Sequence, residues 1–395
     1  MSDSTTCDVL VIGAGIAGAG AAYYLGAQQG IDSILVERDS PASGPTGASS
    51  AICHLFYTDA AMSRLAKRGC QILKELPERI GSPVVFHENG CLWVAGESNV
   101  ALWTDTVARI RDMEGGTIET LTPEEVARIA PNFNTDGIAV GIWEEGYGYA
   151  DPYDATNELV RGARDRGCRY LGNRSVTTLR VESGKIRGVE LSDGTRISTE
   201  RVIMTAGPWT KALVSPLGVD LPLHIERHFM AVLDAPGRAK DILPFCWVDD
   251  TACHYARAEG ENTILIGTWD GGGTGQRNEA FADQQDSHIH EVTVAGEFEA
   301  ATSTDESIWA MQHMVPRCPD IEGLGIRPGY ACMYDMSPDQ LPVFDEVPGA
   351  EGLYFAAGSS GHGFKVGPSV GESMAKWALG EKPDELEPYA LSRFD

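Results

Sequence analysis

The chain has 395 residues, of which 43% are hydrophobic and 22% charged, a composition typical of a folded globular protein and not of a disordered one. Asp and Glu outnumber Lys and Arg by 57 to 31, and the net charge of −26 argues against binding to nucleic acid or anionic lipid. Nine cysteines without a Cys-x-x-Cys pair argue against a zinc ribbon or a disulfide framework. We therefore expect a reducing compartment and a cytoplasmic protein.

The first long apolar stretch, residues 9–31, is uncharged and has the length of a membrane span. Six glycines and two glutamines lie within it, and the residues before it are acidic rather than basic. We therefore expect no membrane span.

The same stretch is typical of a strand, a tight turn and a helix. An apolar run at 8–12 precedes Gly13-Ala-Gly-Ile-Ala-Gly18, helix-forming residues occupy 19–29, and a second apolar run at 33–37 ends in Glu37. A Gly-x-Gly-x-x-Gly turn in this setting predicts a dinucleotide site. Gly13, Gly15 and Gly18 let the backbone approach a pyrophosphate, and Glu37 accepts hydrogen bonds from ribose hydroxyls. A nicotinamide-dependent dehydrogenase and a turn without ligand remain open from this motif alone.

The later elements predict how the chain is divided. Apolar runs at 201–209 and 352–358 contain Ala-Gly where the strand ends, as strands of a doubly wound sheet do beside a bulky ligand. Helical patterns occupy 60–76, 123–129 and 154–166, β-like patterns occupy 138–143, 174–191 and 263–268, and 271–275 is a glycine-rich loop. The sequence predicts an α/β fold with a doubly wound, Rossmann-like nucleotide domain (1–83, 151–218 and 325–395) interleaved with a mixed β-sheet substrate domain (84–150 and 219–324).

Three further motifs accompany the glycine turn: Thr205-Ala-Gly-Pro-Trp209, Cys332-Met-Tyr-Asp-Met-Ser-Pro-Asp339 and Gly358-Ser-Ser-Gly-His-Gly-Phe-Lys365. Together they resemble the FAD-dependent amine oxidoreductases of the sarcosine oxidase and D-amino acid oxidase superfamily. The similarity runs along the whole chain, is densest in the last seventy residues, and is strongest to the monomeric sarcosine oxidase branch. The resemblance implies FAD as cofactor.

Cys332 carries the most specific implication. In the sarcosine oxidase branch a cysteine in a Cys-x-Tyr-x-x-x-x-Asp pattern bonds through sulfur to the flavin, and Cys332, Tyr334 and Asp339 match that pattern. The resemblance thus implies covalent FAD, for which the thiol must lose its proton at the ring edge. The alternative is a buried, unreactive cysteine.

The resemblance also implies a set of site residues. Gly361 and Gly363 predict a loop that crosses close over a planar ring, and Lys365 after them matches the lysine that holds the substrate carboxylate. His54, Tyr255 and Trp269 are candidates for the substrate pocket, with Lys365, His54 and Tyr255 assigned to catalysis. The implied flavin contacts are Gly13, Gly15, Gly18, Glu37, Arg38, Ser49, Ser50, Val176, Ala206, Gly207, Trp209, Cys332, Gly358, Gly361, His362, Gly363, Phe364 and Lys365.

Two departures from the family pattern bear on function. Ala51 and His54 stand where sarcosine oxidases carry arginines that touch flavin and carboxylate, so the carboxylate site is weaker or differently built. Leu265 stands where those oxidases carry the lysine that activates oxygen, and its loss removes a fixed cation beside the ring.

The expected reaction is oxidation of the C–N bond of a secondary amine or amino acid, with hydride leaving for flavin N5. The electron acceptor is oxygen or, as Leu265 favours, a quinone or electron-transfer protein. The alternatives are a 2-hydroxy acid dehydrogenase and a flavin-holding subunit of a multisubunit sarcosine oxidase-like complex.

Other motifs predict no further chemistry. His288-Ile-His290 has spacing that suits a metal but shows no third ligand, so we expect no metal. Ser49-Ser50 and Ser359-Ser360 lack the nucleophile-elbow pattern of hydrolases. An acidic run is interpreted as a solvated face; it comprises Asp283, Asp286, Glu291, Glu297 and Glu299.

Overall fold

A computed structural model of the protein describes residues 4–114, 117–269 and 288–395. The predicted loop 271–275 and the acids Asp283 and Asp286 lie outside these ranges. Across the described ranges, no helix combines the length and the apolar character that crossing a bilayer requires.

The strands and helices are numbered in chain order. The strands are β1 (Ser4–Thr6), β2 (Val9–Ile12), β3 (Ser33–Val36), β4 (Ile52–Cys53), β5 (Phe86–His87), β6 (Cys91–Ala95), β7 (Ile118–Leu121), β8 (Val140–Glu144), β9 (Gly148–Ala150), β10 (Arg169–Leu171), β11 (Val176–Glu182), β12 (Lys185–Leu191), β13 (Arg196–Ser198), β14 (Val202–Met204), β15 (His224–Asp234), β16 (Cys246–Asp249), β17 (His254–Glu259), β18 (Thr263–Thr268), β19 (His290–Glu291), β20 (Gly325–Met336), β21 (Val343–Glu346) and β22 (Leu353–Ala357). The α-helices are α1 (Ile16–Gly26), α2 (Ala60–Ile80), α3 (Val100–Glu114), α4 (Pro123–Ile129), α5 (Pro152–Asp165), α6 (Thr210–Val214), α7 (Ala239–Ile242), α8 (Thr304–Met314) and α9 (Gly363–Ala378).

A six-stranded sheet confirms the predicted doubly wound fold. Its order is β10-β3-β2-β14-β22-β21, and every neighbouring pair is parallel except β21 with β22. Its central strands are buried on both faces, as expected for parallel strands covered by helices. A four-stranded sheet, β1-β13-β12-β11, packs with it in one hydrophobic core.

A larger sheet forms a second layer. It has nine strands, in the order β19-β15-β18-β17-β16-β6-β8-β7, with β20 paired to β15. Its residues alternate between two cores: Cys91 and Trp93 belong to the core that also holds residues of α1, α2 and α9, whereas Leu92 and Val94 belong to the core that holds Ala310 and Met314 of α8. One face of this sheet therefore looks toward the first layer.

The division into domains stays a prediction. The proposed nucleotide domain resumes at residue 325, but β20 begins at that residue and pairs antiparallel with β15 in the nine-stranded sheet. Only after Met336 does the chain return to β21 and β22 of the first layer.

Helix α1 begins three residues before the predicted start. Gly15 has an extended backbone (φ −68°, ψ 178°), so the turn ends there and Ile16 opens the helix. Glycine weakens a helix in isolation, but here it allows close packing against α9. A Cβ on Gly20 would lie 2.8 Å from Pro368 Cα, and one on Gly371 would lie 2.2 Å from Ala17 O.

Two other predicted boundaries were wrong. Helix α2 runs through Pro77 and ends at Gly81, whose φ of 62° suits a left-handed cap. The glycine-rich segment around Lys365 was predicted as a crossing loop, yet α9 begins at Gly363, so Lys365 lies in its first turn. Tight packing of α9 on α1 overrides the low helix propensity of its glycines.

Candidate functional site

A cavity of about 360 Å³ lies at the carboxyl edge of the six-stranded sheet. Gly13, Glu37 and Thr205, which follow β2, β3 and β14, line one part of it. Gly361 and Phe364, at the start of α9, line another. Ligands of open α/β sheets bind at this edge, beyond the ends of the parallel strands.

The glycine turn has no room for side chains. Gly13 has φ of +95°, and a Cβ there would lie 2.6 Å from Thr205 O. A Cβ on Gly18 would lie 1.8 Å from Gly13 O. Ile16 N–H, in the first turn of α1, donates to Thr46 Oγ1 at 3.1 Å. The turn thus brings bare backbone to the cavity wall at a helix N-terminus, which favours a phosphate group.

The Glu37 carboxylate lies beside this turn. Its oxygens accept hydrogen bonds from Ala14 N–H at 2.7 Å and Asp39 N–H at 2.9 Å. Each oxygen keeps a further lone pair for a ribose hydroxyl. The Arg38 guanidinium lies 4.2 Å from the centre of the Trp209 ring, and both residues line the cavity.

Twelve of the predicted flavin contacts line this cavity: Gly13, Gly15, Glu37, Arg38, Ser49, Val176, Ala206, Gly207, Trp209, Gly361, Gly363 and Phe364. The other six lie behind or beside its wall: Gly18, Ser50, Cys332, Gly358, His362 and Lys365. Sequence reasoning missed Thr46 as a lining residue, because nothing in the segment Gly44-Pro-Thr-Gly47 marks its hydroxyl for the N-terminus of α1.

These features fit FAD. The glycine turn offers backbone donors to a pyrophosphate, Glu37 offers acceptors to a ribose, and apolar lining residues such as Phe364 and Val366 suit a planar ring.

Lys365 lies between Phe364 and Val366, which both line the cavity. Its side chain is buried, with 6% of its surface exposed, and Nζ donates to Tyr57 Oη at 3.1 Å. Burial lowers the pKa of Lys365 to about 8. Tyr57 Oη in turn lies 3.3 Å from His362 Nδ1. Burial, together with the Lys365 charge, lowers the pKa of His362 to about 3, so the ring is neutral.

His54 lies on the other side of Tyr57, with ring centres 4.7 Å apart, and stands edge-on to Trp93 at 4.8 Å. Burial is the main cause that holds its pKa well below the usual value, and the charge of Lys365 adds to it. Its Nδ1 is buried and has no hydrogen-bond partner among the described residues. His54 is therefore a neutral ring.

Glu144, at the end of β8, is a member of this cluster that sequence reasoning missed. It is fully buried and accepts hydrogen bonds from the backbone N–H groups of Leu55 and Phe56 and from Trp93 Nε1. Glu145 and Gly146, the next two residues, are typical of an exposed turn, which is why the sequence did not indicate that Glu144 is buried. Strand alternation would have found it, because Ile142 and Glu144 share the buried face of β8.

Aromatic residues from the large sheet face the same region. Tyr255 Oη lies 3.4 Å from Tyr334 Oη, and the Tyr255 and Trp269 rings stack with centres 6.0 Å apart. Burial raises the pKa of Tyr255 to about 12, so its hydroxyl stays protonated. A Cβ on Gly361 would lie 2.7 Å from the Tyr334 ring, which joins this wall to the chain before α9.

Cys332 lies in β20, directly before three residues that line the cavity: Met333, Tyr334 and Asp335. It is buried, and burial raises the pKa of its thiol to about 12. Asp335 links β20 to the chain after β22, because its carboxylate accepts from Gly358 N–H at 2.7 Å and from the Ser359 hydroxyl at 2.8 Å.

Leu265 lies in β18 opposite Arg257 of β17, and its side chain is 5% exposed. The Arg257 guanidinium forms an ion pair with Glu259 and lies 4.1 Å from the centre of the Tyr149 ring. His288 and His290 lie at the far edge of the same sheet, and within the described ranges no three His, Cys, Asp or Glu side chains group as metal ligands would.

Comparison with known proteins identifies the family. The family model for DAO, the FAD-dependent oxidoreductases, matches residues 8–377. The chain is 28% identical to the N-methyl-L-tryptophan oxidase of Salmonella typhi, covering 98% of this chain and 99% of that protein. It is 25% identical to human mitochondrial sarcosine dehydrogenase, covering 99% of this chain but only 42% of that longer protein.

Two solved structures show the same fold. The L-proline dehydrogenase from P. horikoshii has a TM-score of 0.85 at 23% identity, with coverage of 99% and 98% of the two chains. The glycine oxidase from Geobacillus kaustophilus has a TM-score of 0.80 at 20% identity, with coverage of 98% and 99%. The family match extends over nearly the whole chain and confirms the resemblance seen in the motifs. The chain belongs to the DAO family and is an FAD-dependent oxidoreductase.

Proposed function

We propose that this enzyme oxidises the C–N bond of a secondary amino acid, an N-methyl amino acid above all, and that Lys365 binds the substrate carboxylate. The observation that carries the proposal is the buried Lys365 ammonium, which lies between the cavity-lining residues Phe364 and Val366. Relatives named for N-methyl-L-tryptophan and sarcosine support this substrate class over a 2-hydroxy acid.

The residues around Lys365 suit such a substrate. Bound FAD supplies the two-electron acceptor for the hydride that leaves the carbon next to nitrogen. The amine must be neutral to react, and the uncharged rings of His54 and His362 add no charge that would complicate amine binding. Tyr255 and Trp269 offer an apolar wall that orients the C–H bond and excludes water.

The test is anaerobic mixing of the purified enzyme with single candidate substrates while the flavin absorbance is followed. Sarcosine and N-methyl-L-tryptophan are expected to bleach the flavin, and lactate is expected to leave it oxidised. Bleaching by lactate alone would overturn the proposal. No bleaching by any amine, proline included, would favour the flavin-holding subunit instead.

The roles of the predicted contacts follow from their positions. We propose that Gly13, Gly15, Gly18 and Glu37 hold the pyrophosphate and ribose of FAD, and that the other cavity residues surround its rings. His54 and Tyr255 would contact the substrate.

We further propose that FAD is attached covalently through Cys332. The support is the family motif and the position of Cys332 next to lining residues. In the experiment, the enzyme is denatured in acid and the mass of the polypeptide is measured. Flavin should stay with the chain, be released in Cys332→Ala, and stay in the control Cys318→Ala, whose thiol is buried on the other face of the large sheet. Release from the unmodified chain would contradict the attachment.

For the electron acceptor, we propose a quinone or an electron-transfer protein in preference to oxygen. Leu265 offers no cation near the ring, and the Arg257 opposite it is paired with Glu259. For localisation, we propose the cytoplasm, because all nine cysteines lie in described ranges and none of them forms a disulfide bond.

A further inference from the structure

Glu144 is a buried carboxylate to which the proposed reaction assigns no role. It has no exposed surface, although an ionised side chain is costly to bury. Three N–H groups surround its oxygens: the backbone N–H of Leu55, that of Phe56 at 3.3 Å, and Trp93 Nε1 at 2.9 Å. A side chain held by three donors at this depth has a defined orientation.

The donors belong to the segment that builds the Lys365 site. Leu55 and Phe56 lie between His54 and Tyr57, and Tyr57 Oη accepts the hydrogen bond from Lys365 Nζ. The Trp93 indole, the third donor, packs edge-on against His54. Glu144 thus holds two groups in place: the backbone between His54 and Tyr57, and the Trp93 indole that packs against His54.

The hydrogen bonds favour the ionised form of Glu144. All three partners are N–H donors, and none of them can accept a proton from a protonated carboxyl group. Burial opposes ionisation and raises the pKa of Glu144 to about 7, while these donors and the Lys365 charge act to lower it. The attraction is mutual, since Glu144 is among the groups that favour the charged form of Lys365.

We propose that Glu144 is a positioning residue for the carboxylate site: its carboxylate holds the segment 54–57 and the Trp93 indole in place beside Lys365. This inference rests on the proposed binding of the substrate carboxylate at Lys365.

Other titratable groups face Lys365 from several elements: Cys53 from β4, His54 and Tyr57 from the segment after it, Cys70 from α2, Cys91 from β6 and His362 beside α9. The pKa values of Tyr57, Cys70 and Cys91 are raised well above their usual range, and those of His54 and His362 are lowered. Glu144 and Lys365, with pKa values of about 7 and about 8, titrate between pH 6 and 9.

The experiment measures acetate binding to the FAD-loaded enzyme from pH 6 to 10, by the change in flavin absorbance. Acetate serves as the carboxylate probe. In the unmodified enzyme, binding should weaken as Lys365 loses its proton near pH 8. In Glu144→Gln, acetate should bind about tenfold more weakly, because the amide NH2 group cannot accept the hydrogen bonds that a carboxylate oxygen accepts. The alkaline limb should also move to lower pH, since removal of an opposite charge disfavours the ammonium. The control is Glu145→Gln, the exposed neighbour, which should leave the limb in place.

Glu144→Asp separates charge from position. It keeps the negative charge on a shorter side chain, so the limb should stay near its original pH while acetate affinity falls, because the contacts to Leu55 and Phe56 are lost. If Glu144→Gln does not fold, Glu144→Asp alone still tests the proposal: unchanged acetate affinity in it would overturn the positioning role.

Failure of the inference is distinguishable from failure of the proposed function. If Lys365→Met abolishes acetate binding but Glu144→Gln binds acetate as the unmodified enzyme does at every pH, only the role of Glu144 is overturned. If Lys365→Met binds acetate as the unmodified enzyme does, the carboxylate site is wrong and the inference falls with it.

Discussion

The FAD cleft and the Lys365 site lie side by side, but backbone atoms dominate the first and side chains the second. The cleft is largely backbone: its glycine turn has no space for a Cβ, and its donors are main-chain N–H groups. The Lys365 site is made of side chains from separate elements, several of them with shifted pKa values. The cleft should therefore be sensitive to added volume, and the Lys365 site to changed charge.

The largest effect is expected for Gly18→Ala in the cleft. Its Cβ would lie 1.8 Å from Gly13 O, so the turn must open and displace the backbone donors. We expect FAD affinity to fall about a hundredfold, as for a steric cost of about 3 kcal/mol. The measurement is flavin absorbance per folded chain. Gly96→Ala is the control, since its Cβ would meet nothing closer than 3.8 Å; equal flavin content in both variants would contradict the close-packed turn.

Lys365→Met changes charge with little change of volume. We expect the apparent KM for an N-methyl amino acid to rise about a hundredfold with flavin content retained, because a buried charge-assisted contact is lost. Lys376→Met, on the same helix but paired with Glu372 at the surface, should leave KM unaltered. If Lys365→Met loses flavin and KM stays unchanged, the carboxylate role is wrong.

The same variant should be more stable than the unmodified chain. Because the pKa of Lys365 falls from 10.5 to about 8 on folding, the unfolded chain binds more protons between these values, and stability rises with pH across that window. At pH 7 the buried ammonium costs up to about 3 kcal/mol, which Lys365→Met removes. Thermal unfolding of flavin-free protein should show a higher Tm for the variant at pH 7 and a smaller difference at pH 10. A lower Tm at pH 7 would argue against this cost.

Leu265→Lys adds a cation to the large-sheet face of the site. We expect the reduced enzyme to be reoxidised by air about tenfold faster, because a fixed positive charge stabilises the anion formed when oxygen accepts an electron. Stopped-flow absorbance gives the rate, and Leu265→Met controls for the change of shape. An unchanged rate would remove the argument for a non-oxygen acceptor.

Arg38→Ala should have the smallest effect. The guanidinium over Trp209 is half-exposed, and such a contact is worth about 0.5–1 kcal/mol, a two- to fivefold change in Kd for FAD. Titration in a Cys332→Ala background measures this affinity without covalent attachment. Arg180→Ala, on the surface hairpin of β11 and β12, is the matched control, and an effect as large as that of Gly18→Ala would mean that side chains govern the cleft.

The same contrast explains what the sequence could predict. The glycine spacing and Glu37 lie within thirty residues, so their geometry follows from one strand, turn and helix. Lys365 was found through a motif, but its partner Tyr57 lies 308 positions away and Glu144 belongs to a third element. Such contacts depend on how the layers pack, which local patterns do not encode. The start of α9 was missed for the same reason, since its glycines signal a loop until α1 is placed against them.

Strand β20 has a mechanical consequence. It is hydrogen-bonded to β15 in the large sheet, and its Asp335 is tied to Gly358 and Ser359 of the FAD layer. A hinge motion that separates the two layers requires a boundary that few hydrogen bonds cross, whereas β20 is hydrogen-bonded to both layers. We therefore expect substrates to be admitted by local rearrangement of a few side chains, with the two layers remaining docked throughout turnover.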